Sequence, residues 1–167
     1  MEHFSQFNHV LDLVAMICIR KFQEGDEKEI SALIRLTLRE INRKDYPISV
    51  IDFLCEQYNV EYIRDLARFQ PVLVAVDDGE LVGTITVKRG RISHVFVRPV
   101  HQGRGIGTRL MDIAEKIAKE LHSTEIQLSA SLTAIGFYEK LGYELGEMHD
   151  DPQYGQTYEM TKRLDDG

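Results

Sequence analysis

The chain has 167 residues, the size of one domain with a single hydrophobic core. Its 20 Lys and Arg residues and 27 Asp and Glu residues leave a formal charge of −7, and this acidic balance argues against a nucleic-acid-binding protein. Its two cysteines, Cys18 and Cys55, lack the paired spacing of a structural zinc site, so we expect no metal.

The N-terminal segment contains one apolar run, 13–19, which is far shorter than the roughly 20 residues that a membrane-spanning helix needs. The residues before it lack the positive charge that opens a secretory signal peptide. We therefore interpret residues 1–16 as a leader in front of a domain at 17–167, and we expect no membrane association. Free thiols suit a reducing compartment, so the protein is predicted to be cytoplasmic.

Hydrophobic periodicity in the first part of the domain predicts one strand followed by two helical regions. Asp26 and Glu29 have the spacing of a capping box at the start of the first helix. The second helical region is expected to break near Asn59. The predicted bounds are 17–22 for the strand, 27–42 for the first helix and 48–68 for the second region.

The rest of the chain alternates short strands with two helices. Asp77-Asp78-Gly79 predicts a tight hairpin turn, and an amphipathic helix has an apolar face that runs from Leu110 to Leu121. The other predicted elements are strands at 72–76, 81–87, 92–97, 125–130, 143–148 and 157–162 and a helix at 133–141. The order β-α-α-β-β-β-α-β-α-β-β indicates a mixed α/β single domain.

A glycine-rich segment joins the strand 92–97 to the amphipathic helix. Gly103, Gly105 and Gly107 let the backbone turn tightly and leave room for a phosphate. The first turn of the following helix offers free N–H groups and the positive end of the helix dipole, an arrangement that binds a pyrophosphate. The segment contains no Walker A string, and the GxGxxG pattern of dinucleotide-binding Rossmann folds fails at its last position.

Two motifs in this half of the chain resemble those of the GNAT acyltransferase superfamily. Gln102-x-x-Gly105-x-Gly107 is similar to the [RQ]-x-x-G-x-[GA] pyrophosphate loop of that family. The segment from Ala134 to Tyr143 matches the family pattern A-x-x-F-Y-x-[KR]-x-G-[FY] about 30 residues further on. The motifs stand in the family's order, and the resemblance extends over about residues 17–164.

The resemblance implies a GNAT-like mixed central sheet that is split by a bulge in the fourth strand, 92–97, and acetyl-CoA as the co-substrate. The exposed backbone of that strand would pair with the pantetheine arm, and the glycine loop would hold the pyrophosphate. Ser131 stands where many members have asparagine, so it either bonds the cofactor arm or only caps the next helix. The implied cofactor-binding residues are Val95, Phe96, Val97, Gln102, Gly103, Arg104, Gly105, Ile106, Gly107, Thr108, Ser131 and Phe137.

Tyr138 is the expected general acid, because the family's tyrosine at this position protonates the departing thiolate. Tyr138 also lies on an apolar helical face, so a role in the core stays open. His94 lies on the key strand and is the candidate general base, since an ordinary imidazole titrates near neutral pH. Residues 91–98 contain no carboxylate, which argues against a histone-type mechanism. The alternative bases are a water chain or Glu147, His149 or Asp150.

The leading interpretation is an acetyl-CoA-dependent N-acetyltransferase that acts on the primary amine of a small molecule or peptide. The alternatives are a non-catalytic acyl-CoA-binding regulatory module and a protein lysine or N-terminal acetyltransferase. Dimers are common in the superfamily, but the residues themselves do not decide whether a homodimer forms. Acidic residues near the expected acceptor site are compatible with a cationic amine, but for most of them we prefer the interpretation of a solvated surface. They are Glu40, Asp45, Asp52, Glu56, Glu61, Asp150 and Asp151.

Overall fold

The computed structural model describes residues 16–165, and its elements follow the predicted order. The strands are β1 (Cys18–Lys21), β2 (Val72–Asp77), β3 (Glu80–Lys88), β4 (Arg91–Val97), β5 (Glu125–Ser131), β6 (Glu144–Asp151) and β7 (Gly155–Arg163). The α-helices are α1 (Asp26–Glu40), α2 (Ile48–Gln57), α3 (Val60–Phe69), α4 (Ile106–Glu120) and α5 (Ile135–Lys140). The predicted leader, apart from its last residue, lies outside the described residues.

The strands form one seven-stranded sheet in the order β1-β2-β3-β4-β5-β7-β6. β4 and β5 run parallel, whereas the other neighbouring strands are antiparallel. The β2–β3 hairpin turns at Asp78 and Gly79, whose φ angles of 48° and 79° are those that a type I′ turn requires. The mixed sheet with helices between its strands confirms the predicted fold class.

The predicted helical region 48–68 is broken in two, as expected. α2 ends at Gln57 and α3 begins at Val60. Between them the side chain of Asn59 accepts a hydrogen bond from the amide of Tyr62 at 2.9 Å. Such a cap satisfies one of the free amides at the helix start, which explains why the new helix begins here.

The start of α1 differs from the sequence-based prediction. Gly25 is the N-cap residue with a φ of 106°, and the Asp26 carboxylate binds the guanidinium of Arg20 at 2.7 and 3.0 Å. Glu29 accepts a hydrogen bond from the amide of Leu81 on β3 at 3.4 Å. The predicted capping box is wrong, because other elements engage both of its carboxylates.

β4 contains the predicted bulge. Phe96 lies opposite Thr84 of β3 and Ser93 lies opposite Thr86, so β4 has one more residue than β3 between these two pairs. His94 lies at the extra position and has a φ of 53°, a conformation that is uncommon for residues other than glycine. A bulge bends a strand and redirects its side chains, so it changes where His94 points.

β4 and β5 separate soon after they begin. Arg91 pairs with Gln127, and the described register continues no further along β4. β5 instead pairs with β7 along its whole length, from Glu125 to Ser131. The carboxyl ends of β4 and β5 therefore stand apart, and a gap opens in the middle of the sheet.

Helices cover both faces of this sheet. α4 and α5 pack on one face, and α1, α2 and α3 pack on the other. Complete burial of a large aliphatic side chain contributes about 1.5–3 kcal/mol, so these two apolar layers hold the split sheet in place. Fully buried members are Ile106, Leu110 and Met111 on the first face and Leu33, Ile34 and Ile51 on the second.

In the range 16–165, no helix combines the length and the apolar composition needed to cross a bilayer. The same range holds no group of three or more His, Cys, Asp or Glu side chains placed to bind a metal ion. Cys18 is exposed and Cys55 is buried, and both are free thiols.

Candidate active site

The gap between β4 and β5 opens into a cleft of about 720 Å³, a size typical of ligand-binding sites. β4 and the first turn of α4 line one side, and the end of β5 and α5 line the other. Residues of α1, of α2 and of the β6–β7 hairpin lie at the same cleft. Tyr138, His94 and every cofactor-binding residue predicted from the sequence except Arg104 line it.

The loop before α4 presents a row of free backbone amides. Among residues 16–165, the N–H groups of Gly103 to Thr108 donate to no carbonyl or side chain, and the next amide, that of Arg109, donates to the Gly105 carbonyl at 3.0 Å. The last three of these amides belong to the first turn of α4, where the helix dipole is positive. Such a row of N–H groups binds a phosphate or a pyrophosphate.

Three glycines shape this loop. Gly103 and Gly105 have φ angles of 76° and 79°, which an L residue adopts only at a cost of about 1–2 kcal/mol. No atom lies within 4 Å of the point where a Cβ would stand on either residue, so the space over the amides is open. A Cβ on Gly107 would lie 3.1 Å from Cζ of Phe137. The glycines thus keep space for an anion and let α5 close against α4.

The edge of β4 that faces the gap offers a further backbone group. The Arg98 amide donates to the Val82 carbonyl of β3 at 2.8 Å, so the amide of Val97, one residue earlier, turns the opposite way, toward the gap. The carbonyl of Val97 accepts a hydrogen bond from Nε2 of Gln102 at 3.1 Å. Phe96 pairs with β3 through its backbone and lines the cleft with its side chain. The Val97 amide is therefore available to an extended ligand.

Tyr138 lies on α5, in the wall of the cleft opposite β4. Its ring packs against Phe137 and Tyr143 at centroid distances of 5.1 and 5.9 Å, and 6% of the residue is exposed. Its hydroxyl forms no hydrogen bond to any residue of the described range. Burial raises the pKa of this phenol, so it is protonated at neutral pH. Tyr138 thus has a core role through its ring and still offers a free O–H donor.

His94 lies in the bulge beside the rings of Tyr58 and Tyr62. Its Nε2 is 3.2 Å from the Tyr62 hydroxyl, and its Nδ1 is buried with no hydrogen-bond partner in the range 16–165. Burial, and to a lesser degree the charge of Lys88, lower the pKa of His94 to about 4. The imidazole is therefore neutral at pH 7. It can accept a hydrogen bond, but it holds a proton poorly, which disfavours direct proton transfer from an ammonium group.

The end of the cleft near His94 is aromatic. Tyr58 packs against Phe96 at a centroid distance of 5.9 Å, and burial raises the pKa of the Tyr58 phenol. Tyr154, from the β6–β7 turn, meets Phe53 of α2 edge to face at 5.2 Å. The described lining of the cleft includes no aspartate or glutamate. The acidic residues expected near the acceptor are exposed and lie outside this lining.

Tyr46 is a site residue that the sequence patterns missed. Its hydroxyl accepts a hydrogen bond from the Leu132 amide at 2.9 Å and donates one to the Gln156 carbonyl. Gly155 lies against its ring, where a Cβ would come within 2.7 Å of ring carbons. Tyr46 therefore ties the α1–α2 connection to the end of β5 and to β7. In the sequence, Tyr46 could have been noticed only as a single aromatic residue in a polar turn before Pro47.

The other predicted residues have different positions. The hydroxyl of Ser131 accepts a hydrogen bond from Nδ2 of Asn42 at 3.4 Å and caps no helix, so of its two expected roles the contact with the cofactor arm remains. Nη1 of Arg104 binds Oδ2 of Asp77 at 3.3 Å, so this residue contributes its free amide to the loop. The alternative bases are exposed on β6 and do not line the cleft: Glu147, His149 and Asp150.

The chain matches one family model and is similar in sequence to known N-acetyltransferases. A family model described as "Acetyltransferase (GNAT) domain" matches residues 53–162. Peptidyl-lysine N-acetyltransferase YjaB from Salmonella typhimurium is 26% identical over 149 residues, which are 87% of this chain and 95% of the relative. Uncharacterized N-acetyltransferase YafP from Escherichia coli is 27% identical over 128 residues, which are 77% of this chain and 81% of the relative.

Solved structures share the fold. A GCN5-related N-acetyltransferase from Rhodopseudomonas palustris has a TM-score of 0.83 at 23% identity, with 88% of this chain and 95% of that chain covered. The PaiA N-acetyltransferase from Thermoplasma acidophilum, solved in complex with coenzyme A, has a TM-score of 0.74 at 23% identity, with 89% and 99% covered. At this identity the likeness establishes the fold.

Proposed function

The chain belongs to the GNAT acetyltransferase family, and from that premise we propose that it transfers an acetyl group from acetyl-CoA to the primary amine of a small molecule or peptide. The observation that carries the proposal is the row of free amides from Gly103 to Thr108, next to the open edge of β4 at Val97. A pyrophosphate fits such a row, and a pantetheine arm fits an open strand edge.

In the proposed reaction, a bond forms between the amine nitrogen and the acetyl carbon, and the carbon–sulfur bond of the thioester breaks. The amine loses one proton and the departing sulfur gains one. The Val97 amide faces the gap and is the proposed donor to the carbonyl oxygen as negative charge develops there. This backbone donor is fixed by the sheet, so it needs no rearrangement during the reaction.

Tyr138 is the proposed proton donor to the departing sulfur. Its hydroxyl has no partner among the described residues, and its raised pKa keeps it protonated at pH 7. A thiol has an ordinary pKa of about 8.5 and is a stronger acid than a phenol, so the hydrogen bond from Tyr138 stabilises the thiolate before the proton moves. A proton released by the amine restores the phenol.

His94 is the proposed acceptor for an ordered water in the path of the amine's proton. Its pKa is about 4, whereas an alkylammonium has a pKa of about 10.4, so direct transfer between them would cost about 9 kcal/mol. A hydrogen bond from water to the neutral imidazole carries no such cost. His94 would then orient the water that carries the ammonium's proton to solvent before the attack. The second proton, which the nitrogen loses as the amide forms, is the one that restores the Tyr138 phenol.

Contacts between the elements around the acceptor end support a small amine as the substrate. Tyr154 and Phe53 meet edge to face, and Tyr46 joins the α1–α2 connection to β7. These contacts restrict the entrance between the helices and the last hairpin. A lysine side chain of a peptide is the second candidate acceptor, because the relative YjaB carries the name peptidyl-lysine N-acetyltransferase.

The test is a free-thiol assay with acetyl-CoA and a panel of amines, run beside calorimetric titration with CoA. The panel contains amino acids, polyamines, aminoglycosides and lysine peptides. We expect CoA to bind and at least one amine to drive thiol release. Mass spectrometry of the acceptor then identifies the acetylated nitrogen.

Two outcomes contradict the proposal. If CoA does not bind, the assignment of the Gly103–Thr108 amides to its pyrophosphate fails. If CoA binds but no member of the panel, small amine or peptide, is acetylated, the alternative of an acyl-CoA-binding regulatory module gains support. The Tyr138→Phe variant is the control, because it removes the proposed donor and leaves the amides in place.

A further inference from the structure

Arg91 gives the cleft a positive charge at the end far from the glycine loop. It is the one lysine or arginine among the described residues that line the cleft, and this lining contains no carboxylate. A strand rises about 3.3 Å per residue, so Arg91 stands roughly 20 Å along β4 from Val97. That distance is too long for Arg91 to serve a pyrophosphate on the Gly103–Thr108 amides.

The guanidinium of Arg91 is incompletely engaged. Its Nη1 lies 3.3 Å from Oε1 of Glu159, and this is its one hydrogen bond within residues 16–165. A guanidinium has five N–H donors, so most of them remain for another acceptor. Glu159 itself does not line the cleft. Arg91 is thus held from one side by Glu159 and presents free donors to the cleft.

Hydroxyl groups surround this cation. Ser93 lies two residues along β4 from Arg91, and side chains two residues apart share one face of a strand. Ser129 lies two residues along β5 from Gln127, the residue that pairs with Arg91. Ser93, Ser129 and Thr157 all line the cleft, and their hydroxyls have no hydrogen-bond partner in the described range. One fixed cation with free hydroxyls nearby fits a carboxylate.

We propose that Arg91 binds a carboxylate of the acceptor, so that the substrate is an amine that also carries a carboxyl group, as an amino acid does. This inference rests on the proposed acetyltransferase function and names its substrate class. A polyamine would meet the charge of Arg91 and no compensating carboxylate in the cleft. An amino acid with a side-chain amine, such as lysine, places its carboxylate on Arg91, while that amine can extend along β4 toward His94 and the open part of the strand.

Matched pairs of amines test the proposal on the wild-type protein. L-lysine and cadaverine differ in the carboxylate, as do L-ornithine and putrescine. A charge-assisted hydrogen bond predicts a kcat/KM at least about 10-fold higher for the carboxylate member of the accepted pair. Equal kcat/KM for both members would overturn the proposal. If neither pair nor any other amine is acetylated although CoA binds, the proposed function itself fails.

Three variants separate substrate binding from a structural role of the ion pair. Arg91→Met should reduce the preference for the carboxylate member to about one, mainly through KM, and Arg91→Lys should retain part of it. Glu159→Gln should keep the preference, because it removes the partner and leaves the guanidinium. If Arg91→Met and Glu159→Gln instead lower kcat/KM equally for both members of a pair, Arg91 acts through the ion pair and the proposal is wrong.

Calorimetry with CoA controls for misfolding. Each variant should bind CoA with the wild-type Kd, because Arg91 lies far from the glycine loop. If Arg91→Met is too unstable to assay, the wild-type preference and its partial retention in Arg91→Lys still decide the proposal.

Discussion

The two ends of β4 are built on different principles. Beyond its carboxyl end, at Val97, the candidate donor site consists of backbone amides from one continuous segment, Gly103 to Thr108. Near its start and bulge, at Arg91 and His94, the candidate acceptor site consists of side chains from several elements far apart in the sequence. The first end suits a ligand common to a whole family, and the second can vary without disturbing the first.

Tyr138 lines the cleft that both regions share, so its substitution tests whether chemistry can be separated from binding. The Tyr138→Phe variant should lower kcat by about 100-fold or more, because it loses a proton donor, while the Kd for CoA stays within about twofold. Steady-state thiol release and calorimetry measure the two quantities. A wild-type kcat would remove Tyr138 from the mechanism and leave it a core residue.

Gly105→Ala tests the donor site alone. The added Cβ forces an L residue to a φ of 79° and enters the open space over the amides, so the Kd for CoA should rise by about 10- to 100-fold.

Gly79→Ala is the matched control for this strain. Gly79 has the same φ of 79° and equally open surroundings, but it lies in the β2–β3 turn outside the cleft. It should lose similar stability and keep its affinity for CoA. If both variants bind CoA equally well, the amides are not the pyrophosphate site.

Tyr46→Phe tests the acceptor site. Loss of its hydroxyl leaves the Leu132 amide and the Gln156 carbonyl without a partner, which should lower the free energy of unfolding by about 2–3 kcal/mol. It should also raise KM for the amine and leave the Kd for CoA unchanged. The control is Tyr143→Phe, which loses a bond to Glu115 on the opposite face of the sheet. If Tyr46→Phe changed the Kd for CoA and left KM for the amine unchanged, the donor and acceptor regions would not be separate.

His94 predicts a pH dependence of stability. Its folded-state pKa is about 4, below the ordinary value of 6.5, so the unfolded chain binds more protons between these pH values. The free energy of unfolding should therefore fall as the pH drops from 6.5 toward 4, with a contribution of about 3 kcal/mol from His94. Urea titrations of wild type and His94→Asn across this range measure it. An equal slope for both proteins would contradict the assigned burial.

The two regions also explain what the sequence could predict. The glycine loop and the helix α4 follow from local patterns, and the glycine spacing matches a family motif. The bulge in β4 was implied by the resemblance to that family. Tyr46 and Arg91 carry no local pattern, because their roles arise from contacts with residues far along the chain. The capping-box spacing at Asp26 was misleading for the same reason, since Arg20 captures that carboxylate. Features set by short stretches of sequence could be predicted, whereas contacts between residues far apart in the chain could not.

A crystal structure of the protein with CoA would show directly whether the cofactor lies on the Gly103–Thr108 amides. We expect pyrophosphate oxygens within about 3 Å of the amides from Gly103 to Thr108, the pantetheine arm along β4 at Val97, and the sulfur beside the Tyr138 hydroxyl. CoA bound away from these amides, or a sulfur remote from Tyr138, would contradict this expectation.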